Sequence, residues 1–298
     1  MMTNQPRIIF VCLALVAGNA AFAQGQDGTP GERNLQVMAE LLAGLYDNAN
    51  QNYFDGRLKF PEDERHDRAR TEIATVEDDR IGSPLFAYDL YRGRDASPSE
   101  SELWLLTTDD DPRLVRMKRY TLGDDEATYR EGCDVLWRRN AGQFWGINKS
   151  DTCAAELQLT TKDLWLTIGQ STLFELARAR NFSCYVDIPG VSGGRDEPFD
   201  RYPINDMHDQ GALQWFESKE GRTFGLTLRN VRWPMNNEVG AFTRNSLVMY
   251  LIEKTDDGVK EIGYSWTEPR AERIGMNLKW LLVSCYMVSN RDVQPFFD

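Results

Sequence analysis

Histidine is almost missing from this chain: 298 residues include two, His66 and His208. That scarcity excludes multi-histidine metal centres and leaves little for general-base chemistry near neutral pH. Positive charge is also short, with 34 Lys and Arg against 46 Asp and Glu and a net charge of −12. A chain this acidic repels phosphate backbones, so nucleic acid is excluded as a partner. The cysteines show no C-x-x-C spacing, and with so few histidines no metal site is expected. Beyond the first residues no apolar run approaches the roughly 20 residues of a membrane helix, so no membrane span is expected after them. What is present is a 41% apolar and 11% aromatic composition, enough to bury a large core and incompatible with a disordered chain.

Arg7 precedes the apolar run Ile8 to Ala17, Asn19 interrupts it, and Ala21-Phe22-Ala23 has the small-residue pattern of a cleavage site. Residues 1–23 therefore read as a secretory signal peptide cleaved after Ala23, which predicts a secreted or periplasmic protein. Four cysteines remain beyond that site, Cys133, Cys153, Cys184 and Cys285, an even number for an oxidising compartment. Pairing Cys133 with Cys153 and Cys184 with Cys285 keeps each bridge within one half of the chain. In the chain-entropy picture such loops contribute about 3 and about 4.7 kcal/mol.

Leu35, Met38, Leu41, Leu42 and Leu45 recur at helical spacing and predict a helix over 34–45 with Asn34 as its N-cap. The charged stretch from Asp55 to Asp79 reads as an exposed loop or a frayed helix. Short apolar or alternating runs follow at 85–91, 102–107, 114–122, 133–138, 143–147 and 157–160, each bounded by turn signals. A second series predicts strands over 173–179, 184–188, 212–216, 223–233, 247–254, 261–266 and 278–288, with Thr255-Asp256-Asp257-Gly258 as a hairpin turn. The polar stretch Pro189 to Gly211 reads as a surface loop. The class is all-β with an N-terminal helix, divided into residues 34–170 and a second β-rich unit over 171–298.

Gly190-Val191-Ser192-Gly193-Gly194 fits G-x-S-x-G, with His208 downstream, but the polar loop after the serine lacks the helix that a nucleophile elbow requires. The Asp109-Asp110-Asp111 run and Asp206, His208 and Asp209 read as solvated turns. Asn148-Lys149-Ser150 and Asn181-Phe182-Ser183 are glycosylation sequons. On the 114–122 strand, Arg116 and Lys118 share a face with Tyr120. That face either receives a planar anion or points to water. Cys133, Val135 and Trp137 share a face by the same parity, as core or as pocket wall.

The segment Leu41-Leu42-Ala43-Gly44-Leu45-Tyr46-Asp47-Asn48 with Gln51 and Tyr88 resembles the opening of the CpcT/CpeT family of phycobiliprotein chromophore (bilin) lyases. Gly132-Cys133-Asp134-Val135-Leu136-Trp137, continuing through Phe144, Gly146 and Cys153, is similar to that family's second signature. The resemblance covers about residues 35–168. It implies a calycin-like antiparallel β-barrel holding an open-chain tetrapyrrole, which is delivered to a cysteine of an acceptor protein, with no cofactor required. Such a cargo wants aromatic walls, cations for its propionates and a carboxylate for its pyrrole N–H groups. Under the resemblance the ligand-binding candidates are Asp47, Asn48, Gln51, Tyr88, Arg116, Lys118 and Trp137. The competing expectation is a non-catalytic secreted or periplasmic binding or structural module.

The cysteine count makes a prediction: the exported protein, denatured without reductant, shows no titratable thiol. Two or more free thiols in an Ellman assay would end the proposed pairing.

Overall fold

The computed structural model describes residues 28–93, 95–123, 126–168, 172–189, 198–237 and 240–288. The segment expected to be a leader and the G-x-S-x-G segment lie outside them.

Helix α1 (Pro30–Leu42) begins four residues before the expected start. Thr29 caps it by accepting from the Glu32 N–H while Glu32 bonds back to the Thr29 N–H, and Pro30 occupies the first turn. This reciprocal cap satisfies two orphan donors at once, which Asn34 could not do from inside the helix. The helix stops at Leu42. Its C-terminal carbonyls are taken by the Tyr46 hydroxyl, 2.9 Å from the Leu41 oxygen and 3.0 Å from that of Leu42, and by the Arg178 guanidinium. Gly44 and Leu45, expected to be helical, open a strand instead.

That strand is β1 (Gly44–Asp47). After helix α2 (Ala49–Arg57) come β2 (Ala69–Val76), β3 (Leu85–Arg92), β4 (Glu100–Thr108), β5 (Leu114–Leu122) and the short β6 (Ala127–Tyr129). Next are β7 (Val135–Asn140), β8 (Gln143–Asn148), β9 (Ala155–Leu159), β10 (Asp163–Ile168) and β11 (Thr172–Arg178). Ten of these strands close an antiparallel barrel in the order β4-β3-β2-β1-β11-β10-β9-β8-β7-β5 and back to β4, with β6 hydrogen-bonded beside β5. The barrel and its N-terminal helix are thus as expected. Strand β2 falls in the stretch read as a loop, because Ala69, Thr71 and Ile73 face inward between Arg70 and Glu72 and present little apolar bulk. Strand β11 joins β10 to β1 and so closes the ring. The barrel therefore runs eight residues past the boundary expected at 170.

The barrel interior is packed solid. Trp137, Phe86, Phe144, Phe174, Tyr46, Met38, Leu41 and Leu42 are all at most 1% exposed and form one core with Val115, Met117 and Val135. α1 supplies three of these side chains and rests on the β4–β5 turn, where Gly31 lies against the Pro112 and Leu114 carbonyls. Gly146 is required by this packing. It sits opposite Trp137, and a Cβ there would stand 2.6 Å from two atoms of the indole.

The second unit is a two-layer sandwich. One sheet orders β13 (Phe199–His208), β12 (Asn181–Pro189), β19 (Leu282–Met287) and β18 (Arg273–Asn277); the other orders β14 (Gln210–Glu217), β15 (Thr223–Asn237), β16 (Gly240–Thr255) and β17 (Gly258–Thr267). Phe182, Val186, Val283 and Cys285 of one layer share a core with Phe224, Leu226, Leu228, Met249 and Leu251 of the other. Strand β13 lies where a surface loop was expected, since this edge strand buries only Ile204, Met207 and His208. The stretch 278–288 is a strand only over Leu282–Met287, after a turn in which Lys279 has φ 70°. The β16–β17 hairpin turns at Asp256-Asp257 as expected.

Both expected cysteine pairs are at bonding distance. Cys133 and Cys153 have Cα atoms 5.2 Å apart, and Cys184 and Cys285 face each other across β12 and β19 at 4.0 Å. Two such pairs fit an oxidising environment. No helix among the described residues is long and apolar enough to cross a membrane. Asn148 of the first sequon is buried, and its amide nitrogen donates to the Gly132 and Asp134 carbonyls, so it is closed to a glycan.

Gly146→Ala should lower the unfolding free energy by about 1–3 kcal/mol, the usual result of overpacking a filled core. Urea denaturation followed by tryptophan fluorescence checks this. A change below about 0.5 kcal/mol would mean that the Trp137 ring can yield.

Candidate functional site

The sequence-selected residues do not form one pocket. Tyr88 and Trp137 belong to the packed interior, where Tyr88 stacks on Trp104 with ring centroids 4.0 Å apart. Burial pushes the Tyr88 hydroxyl well above its ordinary pKa, and the neighbouring Glu100 and Glu102 carboxylates add to the shift. Arg116 and Lys118 alternate with the inward Val115 and Met117 and so point outward. Arg116 is held by Asp109 and, at 3.0 Å, by Asp134. This face lies outside the barrel but is half-buried: Tyr120 packs against the small outer cluster of Leu85, Leu103 and Leu105. The inward cation on that strand is Arg119, which with Arg130 and the Trp104 indole N–H surrounds the buried Glu102 carboxylate. Burial opposes that carboxylate's charge, yet the bonds from Arg119 and Trp104 hold its pKa below the ordinary value.

Asn48 and Gln51 fasten α2 across the barrel end opposite α1. Asn48 donates to the Asp67 carbonyl at 2.8 Å and accepts from the Ala69 N–H at 2.8 Å. Gln51 donates to the Leu173 carbonyl at 2.9 Å and accepts from the Glu175 N–H at 3.1 Å. Their amides are engaged by backbone groups, which is a joint and not a ligand contact.

Asp47 alone of the set lines an open space. Between the outer face of β1–β2 and the sandwich lies a cleft of about 2050 Å³. Its barrel wall carries Asp47, Arg68, Arg70, Glu72 and Tyr91; α2 adds Tyr53; the sandwich wall carries His208, Trp215, Thr227, Arg229, Tyr250 and Ile252. The volume exceeds the roughly 1,000 Å³ at the upper end of drug-sized pockets. Asp47 is 1% exposed and accepts both arms of Arg68, at 2.7 and 2.6 Å. Burial holds the Asp47 carboxyl above its ordinary pKa, opposed by Arg68 and by the Ala49 N–H. Arg68 continues to the Gln210 and Gly211 carbonyls at 3.4 and 3.3 Å, joining barrel to sandwich. At the same seam Gly211 has φ 89°, and a Cβ on it would stand 2.7 Å from that of Ala49.

No protein-family model matches the chain, and no curated protein matches it. The site is therefore read from its own chemistry. Arg70 stacks on Tyr91 at 4.3 Å and makes a loose 3.4 Å pair with the exposed Glu72. Its Nε is buried without a partner. Cations beside flat aromatic rings suit a planar anion. Sequence reasoning missed Arg68, Arg70, Tyr53 and the sandwich wall apart from His208, which it named but read as part of a solvated turn, whereas the residue is 7% exposed. The alternation of Arg70 and Glu72 with Thr71 and Ile73 was the available signal for β2. Nothing marked Arg229, because an outward cation on an amphipathic strand looks the same whether it meets water or a cleft.

His208 lines the cleft at 7% exposure and accepts from the Gln210 N–H through Nδ1 at 3.3 Å, a role that requires the neutral ring. Burial, with the Arg68 and Arg70 charges, lowers its pKa to about 3. An unfolded histidine takes a proton near pH 6.5, so as pH falls below that value the unfolded chain gains a proton the fold refuses. Stability is then lost between about pH 6.5 and 3, at up to about 1.4 kcal/mol per unit from this group. His208→Gln should flatten the stability profile between pH 6 and 4 in urea titrations. Identical slopes for both proteins would remove His208 from the acid response.

Proposed function

We propose that the chain is an exported CpcT/CpeT-like binding protein that holds an extended planar anion, of the open-chain tetrapyrrole kind, in the flank cleft and not inside the barrel. The observation that carries this reading is the contrast between a lumen filled by Trp137, Phe86, Phe144 and Phe174 and an open flank lined by Arg70, Tyr91, Tyr53 and Asp47. A tetrapyrrole needs just those partners: stacking walls for its rings and cations for its propionates. Export is supported by the leader pattern Arg7, Ile8 to Ala17 and Ala21-Phe22-Ala23 together with the two cysteine pairs. Attachment of the chromophore to a protein cysteine comes from the resemblance. Because Cys133, Cys153, Cys184 and Cys285 are paired, the accepting thiol would belong to another protein.

Biliverdin added to micromolar protein should give a shifted, intensified visible band. Arg70→Ala should weaken that binding about tenfold, the scale of one charge-assisted bond. Arg116→Ala, on the outward face, should leave it unchanged. An unaltered spectrum, or a loss with Arg116→Ala but not with Arg70→Ala, would reject the cleft as a tetrapyrrole site.

A further inference from the structure

The sandwich wall of the cleft holds a cation with no partner. Among the described residues the Arg229 side chain makes no hydrogen bond and no ion pair; its one contact of note is the Tyr53 ring, 5.0 Å from the guanidinium carbon. Its Nε is buried and unpaired, although the residue is only half-buried and lines the open space. Other arginines of comparable burial are committed: Arg68 to Asp47, Arg119 to Glu102, Arg180 to Asp209 and Arg222 to Glu253. Asp47, the nearest buried carboxylate of the cleft, is already occupied by both arms of Arg68. Burial and the Arg68 charge both press against the charge on Arg229. A half-buried guanidinium with no protein acceptor keeps its remaining donors available to an anion that enters the cleft.

The surroundings fit one class of anion. Thr227 lies two residues before Arg229 on the same face of β15, and Tyr250 is directly opposite Thr227 on β16. Both line the cleft, so two hydroxyl-bearing side chains stand on the same sheet face as the guanidinium, which lies beside the Tyr53 ring. A fork with flanking hydroxyls matches the two oxygens of a carboxylate, and the ring supplies a wall for a flat group attached to it.

We propose that Arg229 is the carboxylate anchor of the cleft, so that the sandwich, which the sequence left without a role, selects aromatic ligands carrying a carboxylate. This rests on the reading of the cleft as the ligand site and adds the ligand class. The test uses the full mature protein with 1-pyrenebutyric acid and its neutral counterpart 1-pyrenebutanol, followed by pyrene fluorescence. Wild-type protein should bind the acid about tenfold more tightly than the alcohol. Arg229→Gln should reduce that preference to within about twofold. Arg229→Lys, which keeps the charge and loses the fork, should retain part of the preference.

Wild-type protein without a preference for the acid, or binding neither probe, would overturn the anchor. So would a preference that survives in Arg229→Gln or that is undiminished in Arg229→Lys. The two readings fail separately. Arg229-dependent binding of the pyrene acid with no spectral response to biliverdin keeps the anchor and rejects the tetrapyrrole. Biliverdin binding that ignores Arg229→Gln keeps the tetrapyrrole and rejects the anchor.

Discussion

The bidentate pair between Asp47 and Arg68 organises this molecule. It ends strand β1, fixes the start of α2 through the Ala49 N–H, and carries the seam across to the Gln210 and Gly211 carbonyls. Removing either partner alone would strand the other, a change of about 3–5 kcal/mol for a buried pair. Its second effect is electrostatic. By consuming the buried carboxylate of the cleft floor, it leaves Arg70 with a loose partner and Arg229 with none. The cleft lining as a whole sets three arginines, Arg68, Arg70 and Arg229, against five carboxylates, Asp47, Glu72, Asp95, Asp206 and Glu261, so what can attract an anion is the immediate surroundings of Arg70 and Arg229 and not the recess as a whole. Overall charge governs long-range attraction and repulsion, whereas a recess is governed by the few groups that wall it.

The barrel meets the expectation of its class and departs from the expectation of a cup. Ten strands can close around a ligand only if the inward side chains leave space, and here they include two tryptophans, three phenylalanines and the apolar face of α1. The glycine and tryptophan of the second signature acquire a packing reason, because Gly146 is the gap into which the Trp137 ring fits. The filled barrel is then a platform, and the open space lies on its flank, where the sandwich packs against it. Clefts between packed units are common ligand sites because neither unit has to hollow its own core.

Several elements were legible because local chemistry and tertiary context agree. The strand near 143–147 alternates cleanly, those near 85–91 and 114–122 alternate over part of their length, and the Asp256-Asp257 turn has few other uses. Strands β2 and β13 were obscured because each buries few bulky side chains, β2 using Ala69, Thr71 and Ile73 and β13 relying on its edge position. The helix start was misplaced because Thr29 sits in a Gly/Pro-rich stretch that reads as linker, while Asn34 is an equally good cap by residue type alone. Of the candidate site only Asp47 was identified in advance, since Arg116 and Arg70 are both outward cations on strands and only their neighbours distinguish them.

Residue order by itself determined the all-β class and the N-terminal helix, carried the leader pattern and favoured one pairing of the four cysteines, since periodicity, composition and loop length are properties of the chain. Which strand closes the barrel, whether its lumen is open, and which arginine lacks an acid were decided in three dimensions. Those outcomes depend on contacts between residues far apart in the chain, such as Tyr53 with Arg229 and Arg68 with Gly211. A side chain's periodicity states which way it points. What it meets there is set by whichever part of the chain folds back against it.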